Sequence, residues 1–374
     1  AQVSAAPPIS AQDWRWARAC VHPQGALRWR PHLATAEALP RRRLAGMGWQ
    51  STPFAGYSCE FSPFHGNLLA VGTAQYYGIV GNGRLHVFDI NGPGGAMMPV
   101  CEWLTKDGVY DTAWCEDNEH LLATAMGDGT LKIFDWTQPA GPIMSLEEHT
   151  AEVYGVDWNL NQKNLISSAA WDQTVKVWDV VKGIPIKTFL AHRQIAYAAI
   201  WSPARPVCLA SVAGDAMLHI HDLNVGDIPV QSIQAHQHEI LTVDWNKYNE
   251  FMVVTGSVDK TLRVFDLRNP GGPLQVLHGH QLAVRRVKMH PHCEHQMVSS
   301  SYDMSVNVWD LNVGQMVNHF DHHTEFVCGV DLSLFEENMI ATAAWDRTVC
   351  VWNCLQPPPP RVPGMAGAVP RPPA

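Results

Sequence analysis

The sequence lacks what would mark a helical membrane protein, a secreted scaffold or a nucleotide-binding enzyme. No stretch approaches the roughly 20 consecutive apolar residues that a spanning helix needs, so no direct membrane insertion is expected. The nine cysteines are an odd number with no C-x-x-C pair, which argues against a disulfide framework and suits a reducing compartment. There is no Gly-rich phosphate loop and no G-x-S-x-G elbow; the segments GNGRL and GDGTL read as hairpin turns. Positive charge is scarce, with 26 Lys and Arg against 35 Asp and Glu for a net charge of −9, so duplex nucleic acid is not an expected partner. What remains is a globular composition, 46% hydrophobic over 374 residues, with 15 tryptophans that are not scattered at random.

The charge is unevenly placed. Before residue 47 stand seven arginines (15, 18, 28, 30, 41, 42 and 43) against Asp13 and Glu37, and after 354 only Arg361 and Arg371 carry charge. The flanks therefore hold +5 and +2, which leaves −16 on residues 47–354. A body this acidic favours basic partners and repels nucleic acid. Residues 1–46 have the Arg-rich, acid-poor composition of an organelle transit peptide. Their prolines and low Ser content favour a disordered or upstream extension instead, with Met47 as the initiator. Residues 355–374 form a Pro-rich tail expected to be disordered or extended.

Between the flanks the chain repeats itself. An aromatic-Asp pair, or a close variant, recurs at Phe88-Asp89, Phe134-Asp135, Trp178-Asp179, His221-Asp222, Phe265-Asp266, Trp309-Asp310 and Trp352-Asn353. Six residues before each aromatic position stands a turn residue: Asn82, Asp128, Asp172, Asp215, Asp259, Asp303 and Asp346. The last five of these follow a His by 23 residues (His149, His192, His236, His280 and His323). A hydroxyl stands four residues before each Asp: Thr124, Ser168, Ser211, Thr255, Ser299 and Thr342. LKIFDW, VKVWDV, LRVFDL and VNVWDL alternate as strands do. A period of about 40–45 residues with four short strands is the pattern of a WD-repeat propeller. The prediction is an all-β, seven-bladed WD-repeat β-propeller over residues 47–354, in which GWQSTPFAG supplies the strand that completes the last blade. Closing the ring hides every sheet edge.

In WD repeats the turn Asp, the His, the hydroxyl and the Trp form a hydrogen-bonded tetrad, and the likeness to such repeats implies the same here; a buried carboxylate needs such partners. The structural set is His149, Ser168, Asp172 and Trp178; His236, Thr255 and Asp259; and His280, Ser299, Asp303 and Trp309. A Ser-His-Asp set invites a hydrolase reading, but five copies at one spacing are a scaffold, so no catalytic residue is assigned. Repeat 1 carries Asn82 and an insert, AQYYGIVGN; repeat 2 has Thr105 in place of the His; repeat 4 has His221 in place of the aromatic. These blades should be less rigid or held by other contacts. His290, His292, Cys293 and His295 form a cluster of metal-ligand types but fall in a surface loop between strands, and Cys350 of the Cys350/Cys354 pair reads as core. No metal and no cofactor are expected.

The segments between the anchors are more specific. GYSCEFSPF, TAQYYGIVGNG, EHTAEVYGVDW, AHQHEILTVDWNKYNE and HHTEFVCGVDLS closely resemble the peroxin-7 family, the WD-repeat receptors for the type-2 peroxisomal targeting signal. The resemblance runs from about Gly56 to Trp352. It implies a non-enzymatic import receptor for cargo proteins with an N-terminal signal of the form Arg-Leu-x5-His-Leu, a basic amphipathic helix. It further implies a co-receptor, either the long form of the type-1 signal receptor or a dedicated fungal partner, a docking complex at the peroxisomal membrane, and cycling between cytosol and peroxisome. Top-face positions of the blades select Asp107, Tyr110, Glu152, Tyr154, Trp171, Ile195, Tyr197, Glu239, Arg285, Tyr302, Phe326 and Trp345. Glu152 and Asp107 are expected to pair with the Arg of the signal, and Tyr154, Trp171, Phe326 and Trp345 to form an apolar floor. Arg285 is expected to contact the co-receptor or a carbonyl of the signal. The alternative is a WD-repeat scaffold or adaptor of another multiprotein complex.

Overall fold

A computed structural model describes residues 48–358 of the chain. All the described residues belong to one compact unit. The readings of residues 1–46 and of the tail beyond 358 lie outside the described residues.

Apart from two 3-10 turns, Gln75–Gly78 and Pro93–Gly95, the regular structure among the described residues consists of 28 strands in seven antiparallel sheets of four. This is a seven-bladed β-propeller. The first blade runs from Ala55 to Thr105, the third from Val153 to Phe189, the sixth from Val284 to Phe320. The seventh is built from the chain's two ends: Gly48–Ser51 pairs antiparallel with Thr348–Val351 and completes the sheet begun at Val327.

Each strand's composition follows from its place. Second strands such as Leu165–Ala170 (LISSAA) are buried along their whole length, because the neighbouring blades cover both faces and only small or apolar side chains fit. Outer strands such as Gln231–Gln234 and Gln275–His278 bury a single residue, Ile233 or Leu277. The turn after the second strand places a left-handed residue directly after its Asp, at Gln173, Ala216, Lys260, Met304 and Arg347, with φ between 61° and 72°.

The hydrophobic core is divided into seam cores, one between each pair of adjacent blades. The seam that closes the ring packs Cys59, Phe61, Val71 and Phe88 of blade 1 against Met339, Ala341, Val349 and Val351 of blade 7. Carboxylates of the innermost strands reinforce the seams by accepting backbone N–H groups of the next blade. Glu60 accepts from Trp114 at 3.0 Å, Asp157 from Trp201 at 2.7 Å, Asp244 from Met289 at 2.7 Å, and Asp331 from Phe61 at 2.9 Å.

Candidate functional site at one mouth of the propeller channel

Every innermost strand carries a one-residue bulge near its start, and the skipped residues are Tyr57, Tyr110, Tyr154, Tyr197, Leu241, Arg285 and Cys328. A bulge re-aims the side chain of the residue it leaves unpaired. Here the four Tyr side chains and Arg285 converge. Tyr57 and Tyr110 have ring centroids 5.2 Å apart, Tyr110 and Tyr154 5.3 Å, and Tyr154 and Tyr197 5.6 Å. The Arg285 guanidinium reaches from blade 6 to blade 3 and lies 4.7 Å from the Tyr154 ring.

A second layer comes from the residue before each turn Asp, whose N–H bonds to the carbonyl two residues before the bulge. Trp171 is fixed to Glu152 and Trp345 to Phe326, each at 2.9 Å, and Tyr302 to Ala283 at 3.1 Å. The result is an aromatic arc from blade 6 to blade 4. Tyr302 stacks on Phe326 at 4.7 Å, Phe326 meets Trp345 at 5.1 Å, Trp345 meets Tyr57 at 5.7 Å, and Tyr154 meets Trp171 at 6.0 Å. Tyr110, Tyr197 and Phe326 are buried, so their rings pack inward; Tyr154, Trp171, Tyr302 and Trp345 are half-buried. The indole Nε1 atoms of Trp171 and Trp345 are buried with no hydrogen-bond partner.

The acids lie beside this arc. Glu152, Asp107, Glu239 and also Ile195 are half-buried. Asp107 accepts the Gly108 N–H at 2.7 Å, and burial raises its pKa against that bond. Glu239 accepts from the Tyr197 hydroxyl at 3.2 Å. Arg285 corrects the sequence expectation. It is 2% exposed rather than displayed on the face, because the bulge turns it into the channel mouth, where its Nε and Nη2 have no hydrogen-bond partner.

Two residues absent from the expected set belong to the site. Tyr57 shares the register of Tyr110 and Tyr154, so aligning GYSCEF with VYDTAW and VYGVDW could have found it. Tyr77 sits in the blade 1 insert, 5.0 Å from Trp345, and carried no repeat signal. Tyr76 and Tyr77 both adopt left-handed φ, 45° and 58°, a conformation costly for bulky residues. The Tyr57 hydroxyl donates to the Tyr77 carbonyl at 2.6 Å and the Tyr110 hydroxyl to the Gly78 carbonyl at 2.7 Å, and so the arc holds the insert in place.

Behind the mouth stand the tetrads. His149 Nδ1 lies 2.8 Å from Asp172, its Nε2 2.7 Å from Ser168 Oγ, and the Trp178 indole donates to that oxygen at 2.8 Å. His280, Asp303, Ser299 and Trp309 repeat this geometry at 2.9, 2.7 and 2.8 Å. His236 lies 2.9 Å from Asp259 and 2.7 Å from Thr255, with Phe265 at the Trp position. Burial alone would raise the Asp172 pKa, but the His149 hydrogen bond and charge, with Thr174 and the Thr150 N–H, hold it well below the usual carboxylate range. The same balance puts Asp303 at about 2. Ser168 and Ser299 are fully buried, out of reach of any substrate.

The family of the WD domain, G-beta repeat, matches residues 101–135, 140–179, 228–266, 271–310 and 314–353, together just over half of the sequence. The chain belongs to the WD-repeat family. Among individual proteins, it is 45% identical over 157 residues to the peroxisomal targeting signal 2 receptor of Mus musculus, a match covering 42% of this chain and 49% of that one. The receptor of the same name in Homo sapiens matches at 45%, over 42% of this chain and 48% of its own. Peroxisome biogenesis protein 7 of Arabidopsis thaliana matches at 43% over 128 residues, 34% of this chain and 40% of its own. The WD-repeat chain thus spans about half the length of the curated relatives it matches.

Two WD repeats do without the His. In blade 2, Lys132 takes its place on Asp128 at 2.7 Å, helped by Thr130 at 2.6 Å. In blade 1, His86 is buried beside Phe88, and its Nε2 has no partner. Burial lowers its pKa to about 4; Glu102 opposes the shift and Arg84 adds to it. An unfolded His titrates near 6.5, so between these values the unfolded chain binds more protons and stability falls as the pH drops. His86→Gln is expected to remove roughly 1.5 kcal/mol of the stability difference between pH 6.5 and 5. Urea melts of both proteins at the two pH values test this, and equal losses in both would disprove it.

The HPHCEH loop, between the first two strands of blade 6, is not a uniform surface cluster. His290 is buried and its Nδ1 accepts the His292 N–H at 3.0 Å, while His292 is exposed. Cys350 and Cys354 are both buried in the seam between blades 6 and 7.

Proposed function

We propose that this chain is a non-enzymatic import receptor that binds the N-terminal type-2 peroxisomal targeting signal of cargo proteins at the aromatic mouth of its propeller. With a co-receptor it would deliver them to the peroxisome, cycling between cytosol and organelle. The carrying observation is the half-open aromatic arc with unpartnered indole N–H groups and acids on its rim. An amphipathic helix can lay its Leu residues against Tyr154, Trp171, Tyr302 and Trp345. Its Arg would meet Glu152 and Asp107, and the −16 charge of residues 47–354 would steer it there. The names of the relatives support the same reading.

Fluorescence anisotropy with a labelled Arg-Leu-x5-His-Leu peptide tests it, using the full chain with and without a co-receptor fragment. Binding should require the peptide Arg and tighten with the co-receptor. Glu152→Arg should weaken it at least tenfold, since like charges at a half-buried contact cost more than the loss of a surface pair. A folded protein that ignores the peptide even with the co-receptor present would move the scaffold reading to the front.

A further inference from the structure

Blade 4 departs from its neighbours at three positions, and the departures meet at one point. Two residues after the turn Asp, blades 3, 5, 6 and 7 carry a hydroxyl that donates to it: Thr174, Thr261, Ser305 and Thr348. Blade 4 has Met217, which offers only its N–H, at 3.1 Å. Four residues after the Asp stand Lys176, Arg263 and Asn307 in blades 3, 5 and 6, but His219 in blade 4. Six residues after it stands His221, where blades 3, 6 and 7 have Trp.

The contact between His192 Nδ1 and Asp215 is correspondingly loose. It is shared between both carboxylate oxygens at 3.2 Å, while the other four His–Asp contacts measure 2.8 to 3.1 Å. The His219 ring packs 4.5 Å from the His192 ring, and a ligand atom from each of His192, Asp215 and His219 lies within 4.8 Å of the others. His219 Nδ1 is engaged by Ser232 Oγ at 2.9 Å. The ring also bonds the Ala191 carbonyl, a contact that a metal ion would replace, and the residue is only 5% exposed. The Asp215 side chain keeps 10% exposure at the turn, which gives a path inward.

We propose that His192, Asp215 and His219 form a Zn2+ site with three protein ligands and a fourth position left to water. Two imidazoles and a carboxylate suit this borderline ion. Each imidazole has a hydroxyl on its other nitrogen, Ser232 for His219 and Ser211, at 2.8 Å, for His192. The proton balance sets blade 4 apart from blades 3 and 6. There the Trp indole can only donate to the Ser Oγ, so of the two partners of that oxygen only His Nε2 can take the Ser proton, an arrangement that keeps the His proton on Nδ1. In blade 4 the third partner of Ser211 is His221 Nε2 at 2.9 Å, which can accept as well as donate. His192 can then carry its proton on Nε2 and give it to Ser211, Ser211 gives its own to His221 Nε2, and His221 holds a proton on its otherwise unpartnered Nδ1. Nδ1 of His192 is thereby freed for the metal with no proton lost from the network.

Chelator-stripped full-length protein titrated with ZnCl2 by calorimetry, and with Co2+ by visible absorption, tests the site. One equivalent of Zn2+ is expected, with the intense visible bands of tetrahedral Co2+. His219→Asn, which borrows the residue blade 6 has at this position, should weaken Zn2+ at least tenfold and abolish those bands. Met217→Thr, which restores the hydroxyl donor to Asp215 and leaves every ligand in place, should also weaken it, and carries the test if His219→Asn does not fold. Cys293→Ser, in the HPHCEH loop, should change nothing. No binding, binding indifferent to both blade 4 changes, or binding lost with Cys293→Ser would overturn the proposal. None of these readouts involves the signal peptide.

Discussion

Arg286→Ala should lower the stability of the propeller by about 3–5 kcal/mol, the range for breaking a buried ion pair by removing one partner. Arg286 crosses the channel from blade 6 to blade 2, where its Nη2 lies 2.5 Å and its Nη1 3.2 Å from the two oxygens of Asp111. Both side chains are nearly buried, 12% and 6% exposed. Without the guanidinium, Asp111 would remain among other channel carboxylates that already repel one another. Burial, with Asp331, Asp111 and Asp157 nearby, raises the Glu60 pKa despite the pull of Lys288. Burial likewise pushes Asp157 up to about 7 against its bond from the Trp201 N–H. Chemical denaturation of Arg286→Ala, of Asp111→Ala and of the double variant measures the coupling. The double variant should be more stable than the sum of the single losses predicts. A loss below about 1 kcal/mol for Arg286→Ala would mean that water in the channel screens the pair.

Trp345→Ala should cost at least thirtyfold in binding of the Arg-Leu-x5-His-Leu peptide, about 2 kcal/mol, the scale of an aromatic anchor at the centre of an interface. Trp345 touches Tyr57, Tyr77, Tyr302 and Phe326, so its loss opens the arc where blade 7 meets blade 1. The effect on stability should be small, because Gly127, Gly214 and Val258 hold the same position in blades 2, 4 and 5. Anisotropy and a thermal melt on the same sample separate the two effects. Unchanged affinity in a folded variant would place the signal elsewhere on the molecule.

The repeat made the blades legible because each turn Asp must solve the same burial problem, and the solution recurs at a fixed spacing. His149, Ser168, Asp172 and Trp178 could be read as one unit for that reason. Closure by Gly48–Ser51 was legible for a related reason, since an unpaired last sheet would leave an edge. The mouth was only partly legible. Position in the repeat brings Tyr110, Tyr154, Trp171 and Trp345 together, but exposure depends on how far each bulge turns its side chain. Hence Arg285 is buried where display was expected. The Arg286–Asp111 pair joins residues 175 apart in sequence across the ring axis, and no local pattern encodes a contact of that kind. His221 read as a lapse from the repeat, while His219 carried no signal in the sequence; only the geometry shows that its ring faces His192.

The pairing of Gly48 with Val351 also sets a clock. Synthesis runs from the amino terminus at about 5–20 residues per second, and blades can stack on one another as they emerge. The seam between blades 1 and 7 cannot form until residue 351 has left the ribosome. The contact of Tyr57 and Tyr77 with Trp345 spans that seam, so the arc does not exist in any shorter nascent chain. If the arc takes the signal as proposed, a half-made molecule would be blind to it and only a finished ring could bind.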